Sequence, residues 1–500
     1  VEPLLFLAAI GMSVVINMGT NAFGLFAPEG NQGVSFLTNA VTPILQLAVS
    51  LDYAIFLLHS FGARRKAGAG VEDAMTEAVK ESFSTVAASA STTLFGFMAL
   101  LFMDFRIGSD LGLSLAKGIF FSFVSVMVFL PALTMCVYKL IDKTKHREIM
   151  PDFSNVYRVL GKLAIPAVIV VAIVIVPSYL GQSRTDFLYG YQSAADSMRG
   201  GEESGQDLLT PNQVFGQSTA MAVMVPRGDV IREEMLADEV LAMPGVTSVI
   251  SYAKTVGSAI PPEFLDDSVR SQFYSDNYAR LIVYLDTPAE GAEAFAAVEA
   301  INAAADRLYP GTAYSVGQSA NLYDMKNTVQ ADNRLTNLLA VISIFLVLVV
   351  TFRSASLPFL LLLTIEAAIW INLSIPYFTG TPINYIGYLV LNTVQLGATV
   401  DYAILLTVTY TRNRKTMPKK EAVYKALGSS FRSILVSGTT LATAGFTLAG
   451  TSSNPLIADI GTLLGRGTLF SMLMVVVFLP ALLVIFDKAI GKSTLKAKFR

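Results

Sequence analysis

Two aspartate–tyrosine pairs lie inside hydrophobic runs of the sequence. Asp52 and Tyr53 occur in "SLDYAIF", and Asp401 and Tyr402 occur in "TVDYAIL". An aspartate at the centre of a membrane helix costs about 2.5–3.5 kcal/mol, with no packing gain in return. A carboxyl group removed from water binds a proton more readily, and it can load and release that proton if access alternates between the two sides of a membrane. The sequence therefore predicts a proton relay, with two Asp–Tyr contacts across the centre of a helical bundle.

Hydroxyl residues of two other apolar runs fall at comparable depth and could extend this relay. They are Ser91 and Thr92 in one run and Thr439 and Thr440 in the other, with Ser89, Thr93, Ser437 and Thr443 close by. Small hydroxyl residues also favour close helix packing, and an aspartate can serve simply to join helices by a hydrogen bond. The hydroxyls fit both interpretations, whereas the repetition of acid and phenol at one depth favours the relay for the pairs.

Two further groups could support the relay. His59 follows Asp52 by two helical turns on the same face, but its counterpart Val408 cannot carry a proton. Glu366, in "LLTIEAAIWIN", is another acid inside an apolar run, and its counterpart is Gly11. Glu366 could line a cavity in the second half of the chain, or it could pair with a hydroxyl.

Lys117 and Arg466 begin their apolar runs at corresponding positions. Asp110 and Asp459 precede them in the sequence. We expect interface ion pairs between these acids and cations, or cations whose charged ends reach the membrane surface.

Composition and apolar runs identify a membrane protein. Of 500 residues, 53% are hydrophobic and 15% are charged, which is too apolar for an ordinary soluble protein. Runs of about 18 or more apolar residues can cross a hydrocarbon layer of about 30 Å as helices. Ten such runs are found, at approximately 3–18, 38–61, 84–103, 117–138, 163–180, 335–352, 357–376, 385–410, 433–450 and 466–486.

The distribution of Lys and Arg predicts the orientation of these spans. With the N-terminal end inside, the short inner loops and the C-terminal tail carry 23 Lys and Arg, whereas the short outer loops carry only Arg106. An excess of Lys and Arg is typical of the cytoplasmic loops of membrane proteins. The large polar stretch is therefore expected to be extracytoplasmic, and the protein is expected to be a multi-pass protein of the cell membrane.

The chain contains an internal repeat. A shift of 349 positions superposes the aspartate–tyrosine pairs, Asp110 on Asp459, Lys117 on Arg466 and one "VFLPAL" on another. The second half shows a span, a polar stretch and five more spans, whereas the first half shows only the last four. The chain is expected to begin inside its first repeat and to lack two spans and one external domain, about 190 residues by the spacing of the second half.

Five parts are predicted from this organisation. They are an incomplete first-half membrane repeat at 1–162, a span at 163–181 that opens the second repeat, an extracytoplasmic domain at 182–334, five spans at 335–486 and a basic cytoplasmic tail at 487–500.

The polar stretch 182–334 alternates strand and helix patterns. "TAMAVMVP" and "VTSVISY" are predicted strands around the amphipathic helix "DVIREEMLADEVLAM", and "ARLIVYLD" and "TAYSVG" flank "EGAEAFAAVEAINAAADRLY" in the same way. Two β-α-β halves of this size predict a ferredoxin-like α+β fold. The stretch holds 21 acidic and 10 basic residues, an excess that disfavours nucleic acid as a partner.

Two classes of site are excluded by residue counts. Cys136 is the sole cysteine and only two histidines occur, so a Cys/His metal cluster is not expected. The external stretch has no His or Cys and hence no usual nucleophile and base, so an enzyme is not expected.

These features resemble the RND superfamily, and in particular its MMPL branch, the mycobacterial membrane protein large type. The resemblance covers essentially the whole chain and rests on A/G-x-x-x-D-Y at Ala48–Tyr53 and Gly397–Tyr402, on "TFRSASLP", on "GQSANLYDMKNTVQAD" before a span and on the twin "VFLPAL". It implies a pseudo-twofold exporter of twelve spans with two external porter domains, driven by proton influx through Asp–Tyr pairs in two central helices. That role carries over to Asp52, Tyr53, Asp401 and Tyr402.

The resulting hypothesis is a proton-motive-force-driven exporter of lipids or other hydrophobic molecules, with protons as the coupling ion and no other cofactor. The short external domain is similar to that of compact members without an outer-membrane partner, and a homo-oligomer or an accessory envelope protein remains open. Two other classes also remain open: a non-transporting lipid- or sterol-sensing receptor of the Patched kind, and a protein-secretion factor of the SecDF kind.

Overall fold

The computed structural model describes residues 2–22, 34–144, 156–190 and 218–495, and the side chains of all of these except 156–165 and 390. Its helices are α1 (Glu2–Ala22), α2 (Phe36–Lys66), α3 (Val71–Met98), α4 (Arg106–Val124), α5 (Leu130–Lys143), α6 (Val156–Gln182), α7 (Val230–Leu241), α8 (Asp267–Phe273), α9 (Ala292–Leu308), α10 (Gln318–Phe352), α11 (Ser356–Thr379), α12 (Tyr385–Arg414), α13 (Lys419–Thr451), α14 (Pro455–Leu473), α15 (Leu479–Ile485) and α16 (Asp487–Ser493). Its strands are β1 (Phe187–Leu188), β2 (Thr219–Pro226), β3 (Val246–Ile250), β4 (Tyr278–Leu285), β5 (Tyr314–Gly317) and β6 (Ile383–Asn384). Two π-helical turns, Ser125–Phe129 and Met474–Phe478, join α4 to α5 and α14 to α15.

The chain forms two compact units. The first, helical unit comprises Val1–Asp186 and Asp332–Arg500, and the second comprises Phe187–Ala331. The last residues of the predicted basic tail, 496–500, lie outside the described part of the chain.

Nine helices, or joined helix pairs, within the described residues are long and apolar enough to cross a membrane. They are Glu2–Asn21, Phe36–Lys66, Val71–Phe102, Arg106–Lys143, Gln318–Phe352, Ser356–Thr379, Tyr385–Arg414, Lys419–Thr451 and Pro455–Ile485. They coincide with nine of the ten predicted spans. The tenth, at 163–180, falls in α6, whose described apolar part Pro166–Gln182 is shorter than the other nine. The protein is a multi-pass membrane protein.

Two of these helices begin earlier than the apolar runs indicated. The expected spans began at Lys117 and Arg466, whereas α4 begins at Arg106 and α14 at Pro455. In α14 the side chain of Asn454 accepts a hydrogen bond from the backbone N–H of Leu456, and a proline occupies the first turn, where its missing N–H does no harm. Lys117 and Arg466 therefore lie well inside their helices and not at their ends.

The two halves of the helical unit pack closely along α3 and α12. Thr93 Oγ1 of α3 donates a hydrogen bond to Gly397 O of α12 at 3.0 Å. A Cβ atom on Gly397 would lie in van der Waals contact with Thr93, 3.4 Å from its Cα, so the backbones of the two helices approach each other closely. The helix that carries Asp401 is thereby held against a helix of the other repeat.

The second unit contains a four-stranded antiparallel sheet in the order β3-β4-β2-β5. Helix α7 connects β2 to β3, and α9 connects β4 to β5. Alternate residues of β2 and β4 point into one core with apolar residues of both helices, namely Met221, Val223, Val225, Leu281, Val283, Leu236, Val240, Val298 and Ile301. The predicted strands and helices of this stretch are thus confirmed, because their period-two and period-3.6 patterns match the buried faces.

A buried acid lies in the core of this unit. Glu233 of α7 is 1% exposed, and its Oε2 accepts a hydrogen bond from the Tyr274 hydroxyl at 2.8 Å. Its Oε1 has no hydrogen-bond partner among the described residues. Burial raises the pKa of Glu233. The hydrogen bond from Tyr274 favours the ionised carboxylate but does not reverse this shift.

The raised pKa of Glu233 makes the stability of the second unit depend on pH. A group whose pKa is raised by folding stabilises the fold at low pH, and this contribution is lost as the pH rises through the folded-state pKa. We expect Glu233→Gln to stabilise the unit at pH 8 by about 1 kcal/mol and to have less effect at pH 5. Hydrogen exchange of β2 and β4 in the intact protein, corrected for intrinsic rates, measures this difference.

Glu299→Gln is the matched control for this prediction. Glu299 is exposed on α9, so the same change there should leave the protection of β2 and β4 unaltered at both pH values. Equal protection of the Glu233→Gln variant and the original protein at pH 8 would contradict the prediction.

Candidate functional site

The two aspartate–tyrosine pairs meet in one cavity inside the helical unit. The cavity has a volume of about 60 Å³ and lies between α2, α3, α12 and α13. Asp52 and Tyr53 line it from α2, and Asp401 and Tyr402 line it from α12. The space is large enough to hold a small number of water molecules. The structure therefore brings together the four residues that the repeat pointed to.

Most polar atoms of these four side chains lack a protein partner. Ser437 Oγ donates a hydrogen bond to Asp52 Oδ2. Asp52 Oδ1, both carboxylate oxygens of Asp401 and both tyrosine hydroxyls have no hydrogen-bond partner among the described residues. Tyr53 and Tyr402 are 1% and 2% exposed, and Asp401 is 8% exposed. Buried polar atoms without partners are costly, and this cavity holds five of them, which makes it the candidate functional site within the described residues.

The cavity lining holds two acids and no basic group. Within the described part of the chain, its other lining residues are apolar or carry hydroxyl groups: Ile55, Phe56, Thr85, Val86, Ser89, Ile404, Leu405, Ser433, Ile434 and Ser437. Neither aspartate thus has a lysine, arginine or histidine across the cavity to balance its charge. A site of this kind can bind protons or another small cation between its two acids.

The hydroxyls that line the cavity differ in part from those expected. Thr85 and Ser89 line it from α3, and Ser433 and Ser437 line it from α13. Within each helix the two hydroxyls are four residues apart and share one face. This spacing, repeated in both halves, is the signal that sequence analysis could have used to find Thr85 and Ser433.

The predicted supporting hydroxyls are not among the residues that line the cavity. Thr92 Oγ1 donates to Ser89 O of its own helix at 2.7 Å, and Thr440 Oγ1 donates to Val436 O at 2.8 Å. Thr439 is exposed, and Ser91 is half-buried. Ser91 and Thr439 follow Ser89 and Ser437 by two residues, an offset of about 200° around the helix axis, which turns them away from the cavity face.

His59 and Glu366 also lie away from the cavity. His59 is exposed on α2. Glu366 of α11 is 8% exposed, and its Oε1 has no partner among the described residues. Trp370, one turn further along α11, packs edge-on against Tyr179 with ring centroids 5.0 Å apart. Glu366 is thus a separate buried acid of the second half.

Each repeat contains a buried cluster of amides that includes a residue of the helix carrying its Asp–Tyr pair. In the first repeat, Asn17 Nδ2 donates to Gln46 Oε1 at 2.9 Å and to Ser114 O at 3.0 Å. Gln46 Nε2 in turn donates to Gly118 O at 3.0 Å and Ser122 Oγ at 3.1 Å. The cluster joins α1, α2 and α4.

The second repeat reproduces this cluster. Asn372 Nδ2 donates to Gln395 Oε1 at 3.1 Å and to Leu463 O at 2.9 Å. Gln395 Nε2 donates to Gly467 O and to Ser471 Oγ, both at 3.0 Å. This cluster joins α11, α12 and α14. Because each glutamine precedes its aspartate by six residues, the clusters hold the two helices that carry the Asp–Tyr pairs at points close to the cavity.

Lys117 and Arg466, two of the residues predicted to form ion pairs at the membrane interface, lie next to these amide clusters. Lys117 Nζ donates to Asn21 Oδ1 at 2.5 Å, and Arg466 Nε donates to Asn372 Oδ1 at 2.7 Å. The structure thus gives Arg466 an amide partner where the sequence suggested an aspartate.

The two acids of this set have other surroundings. Asp459 Oδ2 accepts a hydrogen bond from the backbone N–H of Asn384 at 3.4 Å. Asp110 lies on α4, one turn after Arg106. The proposed ion pairs of these acids with Lys117 and Arg466 stay a prediction.

Comparison with known proteins gives matches along most of the chain. The model of the MMPL family matches residues 1–164 and 193–498. The membrane protein ActII-3 of Streptomyces coelicolor is 24% identical over 95% of this chain, and the membrane protein SCO5905 of the same organism is 25% identical over 90%. The Sulfolipid-1 exporter MmpL8 of Mycobacterium tuberculosis is 28% identical over 27% of this chain.

The chain spans only part of the length of these relatives. It covers 65% of ActII-3, 53% of SCO5905 and 12% of MmpL8. The family match nevertheless extends over the helices that carry both Asp–Tyr pairs, both amide clusters and the four-stranded sheet. With a duplicated helical unit, a shared cavity and this match together, the chain belongs to the MMPL family.

Proposed function

We propose that this protein is a proton-driven exporter of lipids or other hydrophobic and amphiphilic molecules. The observation that carries the proposal is the single cavity in which Asp52, Tyr53, Asp401 and Tyr402 meet without any basic side chain in its lining. Protons that enter from the outer side bind the two acids and leave toward the inner side. Each loading step changes the charge of a buried pair and so favours one of two helix arrangements.

The proton gradient supplies enough free energy for uphill export. One charge that crosses 100 mV is worth about 2.3 kcal/mol, and one pH unit is worth about 1.4 kcal/mol. Together they approach about 4 kcal/mol per proton, which corresponds to a several-hundredfold concentration ratio. Protons are the only coupling ion that the proposal requires, and no cofactor or enzymatic step is part of it.

The second unit is proposed to be a ferredoxin-like porter domain. Its β-α-β-β-α-β order and its sheet order β3-β4-β2-β5, with the first and third strands in the middle, support this assignment. The domain would receive the cargo at the outer side of the membrane and guide it outward.

A lipid cargo is supported by the family and by one relative. MmpL8 is named as an exporter of sulfolipid-1, and a lipid can enter such a protein directly from the membrane. The partner is therefore proposed to be a membrane lipid or a similar amphiphile. Homo-oligomers and accessory envelope proteins are compatible with this function.

The test uses the full-length protein in vesicles that contain the pH-sensitive dye pyranine. A phospholipid with a nitrobenzoxadiazole-labelled acyl chain reports lipid movement by its accessibility to dithionite. We expect lipid movement only when a pH gradient is imposed, together with proton flux, and we expect a protonophore to stop both. Lipid movement at the same rate with and without the gradient would refute proton coupling and would favour a passive path, whereas lipid binding without any movement would favour a lipid-binding receptor.

A further inference from the structure

A buried ion pair anchors the C-terminal end of α12, the helix of Asp401, whose last turn contains Arg412 and Arg414. Arg414 Nε donates to Asp487 Oδ1 at 2.8 Å, and Arg414 Nη2 donates to Asp487 Oδ2 at 3.0 Å. The Tyr410 hydroxyl donates to the same Oδ1. Tyr410, Arg414 and Asp487 are all buried. Bidentate geometry and burial make this a strong and directional contact.

Asp487 keeps its negative charge in this cluster. Burial alone would raise the pKa of Asp487, but the hydrogen bonds from Arg414 and Tyr410 outweigh burial and leave the pKa below its usual value. The contact is therefore a permanent ion pair and not an additional proton-binding site.

In the first repeat the corresponding arginine forms a different and exposed ion pair. Arg65 corresponds to Arg414 by the 349-residue shift, and its Nη2 donates to Asp142 Oδ2 at 3.3 Å. The side chains of Arg65 and Asp142 are 31% and 53% exposed, against 10% and 8% for Arg414 and Asp487. Exposed pairs contribute little because water screens them. The second half has thus a buried anchor where the first half has a weak surface contact.

The other end of α16 is attached to a different part of the helical unit. Ser493 Oγ forms hydrogen bonds with Ser354 Oγ at 3.1 Å and Ser356 Oγ at 2.6 Å. The backbone N–H of Leu495 donates to Arg353 O at 2.9 Å. Arg353 has a positive φ of 49°, which marks a sharp turn between α10 and α11. The short helix α16 therefore connects α12 to the α10–α11 turn.

These attachments form a continuous path from the proton site to α10. Tyr410 follows Asp401 by nine residues on α12, about two and a half turns of one rigid helix. Helix α10 follows β5 directly in the chain and ends at the turn that α16 contacts. A displacement of α12 at the cavity would pass through the ion pair and α16 to the end of α10 at this turn.

We propose that α16, held by Asp487 at one end and Ser493 at the other, is a strut that transmits the movement of the Asp401 helix to the α10–α11 turn. This role rests on the proposed proton-driven transport and assigns the coupling path to the second repeat only. Asp487 is a positioning residue, since it does not line the cavity.

The test compares Asp487→Ala with Asp142→Ala in the full-length protein, in the vesicle assay with pyranine and the labelled phospholipid. For Asp487→Ala we expect the maximal rate of gradient-driven lipid movement to fall about tenfold, with an unchanged lipid concentration at half-maximal rate. Asp142→Ala should stay within twofold of the original protein in both values. If Asp487 had only a structural role, Asp487→Ala would lower the amount of folded protein and leave the maximal rate per folded molecule unchanged. Size-exclusion chromatography of each variant measures the amount of folded protein.

A covalent link provides a second, independent test in case Asp487→Ala does not fold. The double variant Ser356→Cys with Ser493→Cys, made together with Cys136→Ser, allows a disulfide to fix α16 to the turn. Both substitutions weaken the hydrogen bonds that attach α16 to the turn, and the disulfide restores the attachment. A strut stays attached throughout the cycle, so transport after oxidation should equal or exceed that of the reduced protein. Loss of transport on oxidation, with recovery on reduction, would overturn the strut.

The outcomes separate this inference from the proposed function. If the original protein moves lipid without a gradient, proton coupling fails whatever Asp487 does. If the original protein is proton-driven and Asp487→Ala has the same maximal rate, the strut alone is refuted.

Discussion

We expect Asp52→Asn and Asp401→Asn each to lower gradient-driven transport by about 100-fold or more, the size of effect seen when a positioned proton-transfer group is removed. The carboxamide cannot take up a proton at physiological pH, and no other titratable side chain than the two acids and the two tyrosines lines the cavity in the described part of the chain. The size of the side chain hardly changes, and Ser437 can still donate a hydrogen bond at position 52. Proton entry and lipid movement in vesicles of the full-length protein should therefore be lost together while the protein stays folded.

Asp110→Asn is the matched control for the relay variants. Asp110 is a half-buried acid of α4 that does not line the cavity, so its replacement should leave transport within threefold of the original rate. Full transport by both cavity variants, alone and combined, would eliminate the relay. Loss in only one of them would show that the two repeats contribute unequally.

The sequence predicts the acids of the site better than their surroundings. The sequence predicts that Asp52 and Asp401 lie together, because equivalent positions of a repeat lie at equivalent depth in the membrane. An acid inside a membrane helix is costly, so an acid present in both halves indicates a function. Ser437 and Ser89 could not be separated from Ser91 and Thr439, because the sequence does not contain the rotation of α3 and α13 about their axes. A single residue changes the direction of a side chain by about 100°.

The amide clusters show a second limit of sequence patterns. Gln46 and Gln395 were visible as repeated residues, but their partners come from helices remote in the chain, for example Gln395 Nε2 to Gly467 O. Polar residues inside apolar runs lower the hydropathy that marks a span, which is why the runs at Lys117 and Arg466 seemed to begin too late. The secondary structure of the second unit was easier to predict, because the alternation of apolar residues along β2 and β4 follows directly from the burial of one face of the sheet.

We expect Gly467→Ala to destabilise the helical unit by about 3 kcal/mol or more. A Cβ atom at this position would collide with Gln395 Oε1 and would lie 2.5 Å from Asn372 Nδ2. Overpacking of this kind costs about 1–3 kcal/mol, and each buried amide that loses its partner costs about 1–3 kcal/mol more. Because Asn372 and Gln395 join three helices, neither can move away without breaking further hydrogen bonds.

The fraction of detergent-solubilised protein that stays monodisperse after heating measures this effect. Gly450→Ala is the control, because a Cβ atom there meets nothing within 4 Å and should leave the transition temperature unchanged. Gly118→Ala tests the repeat: its Cβ would lie 2.8 Å from Gln46 Oε1 and 2.9 Å from Asn17 Nδ2, so we expect an intermediate loss. A Gly467→Ala protein as stable as the Gly450→Ala protein would mean that the amide cluster can rearrange and does not hold the Asp401 helix. A graded order, with Gly450→Ala most stable and Gly467→Ala least, is the result that the geometry requires.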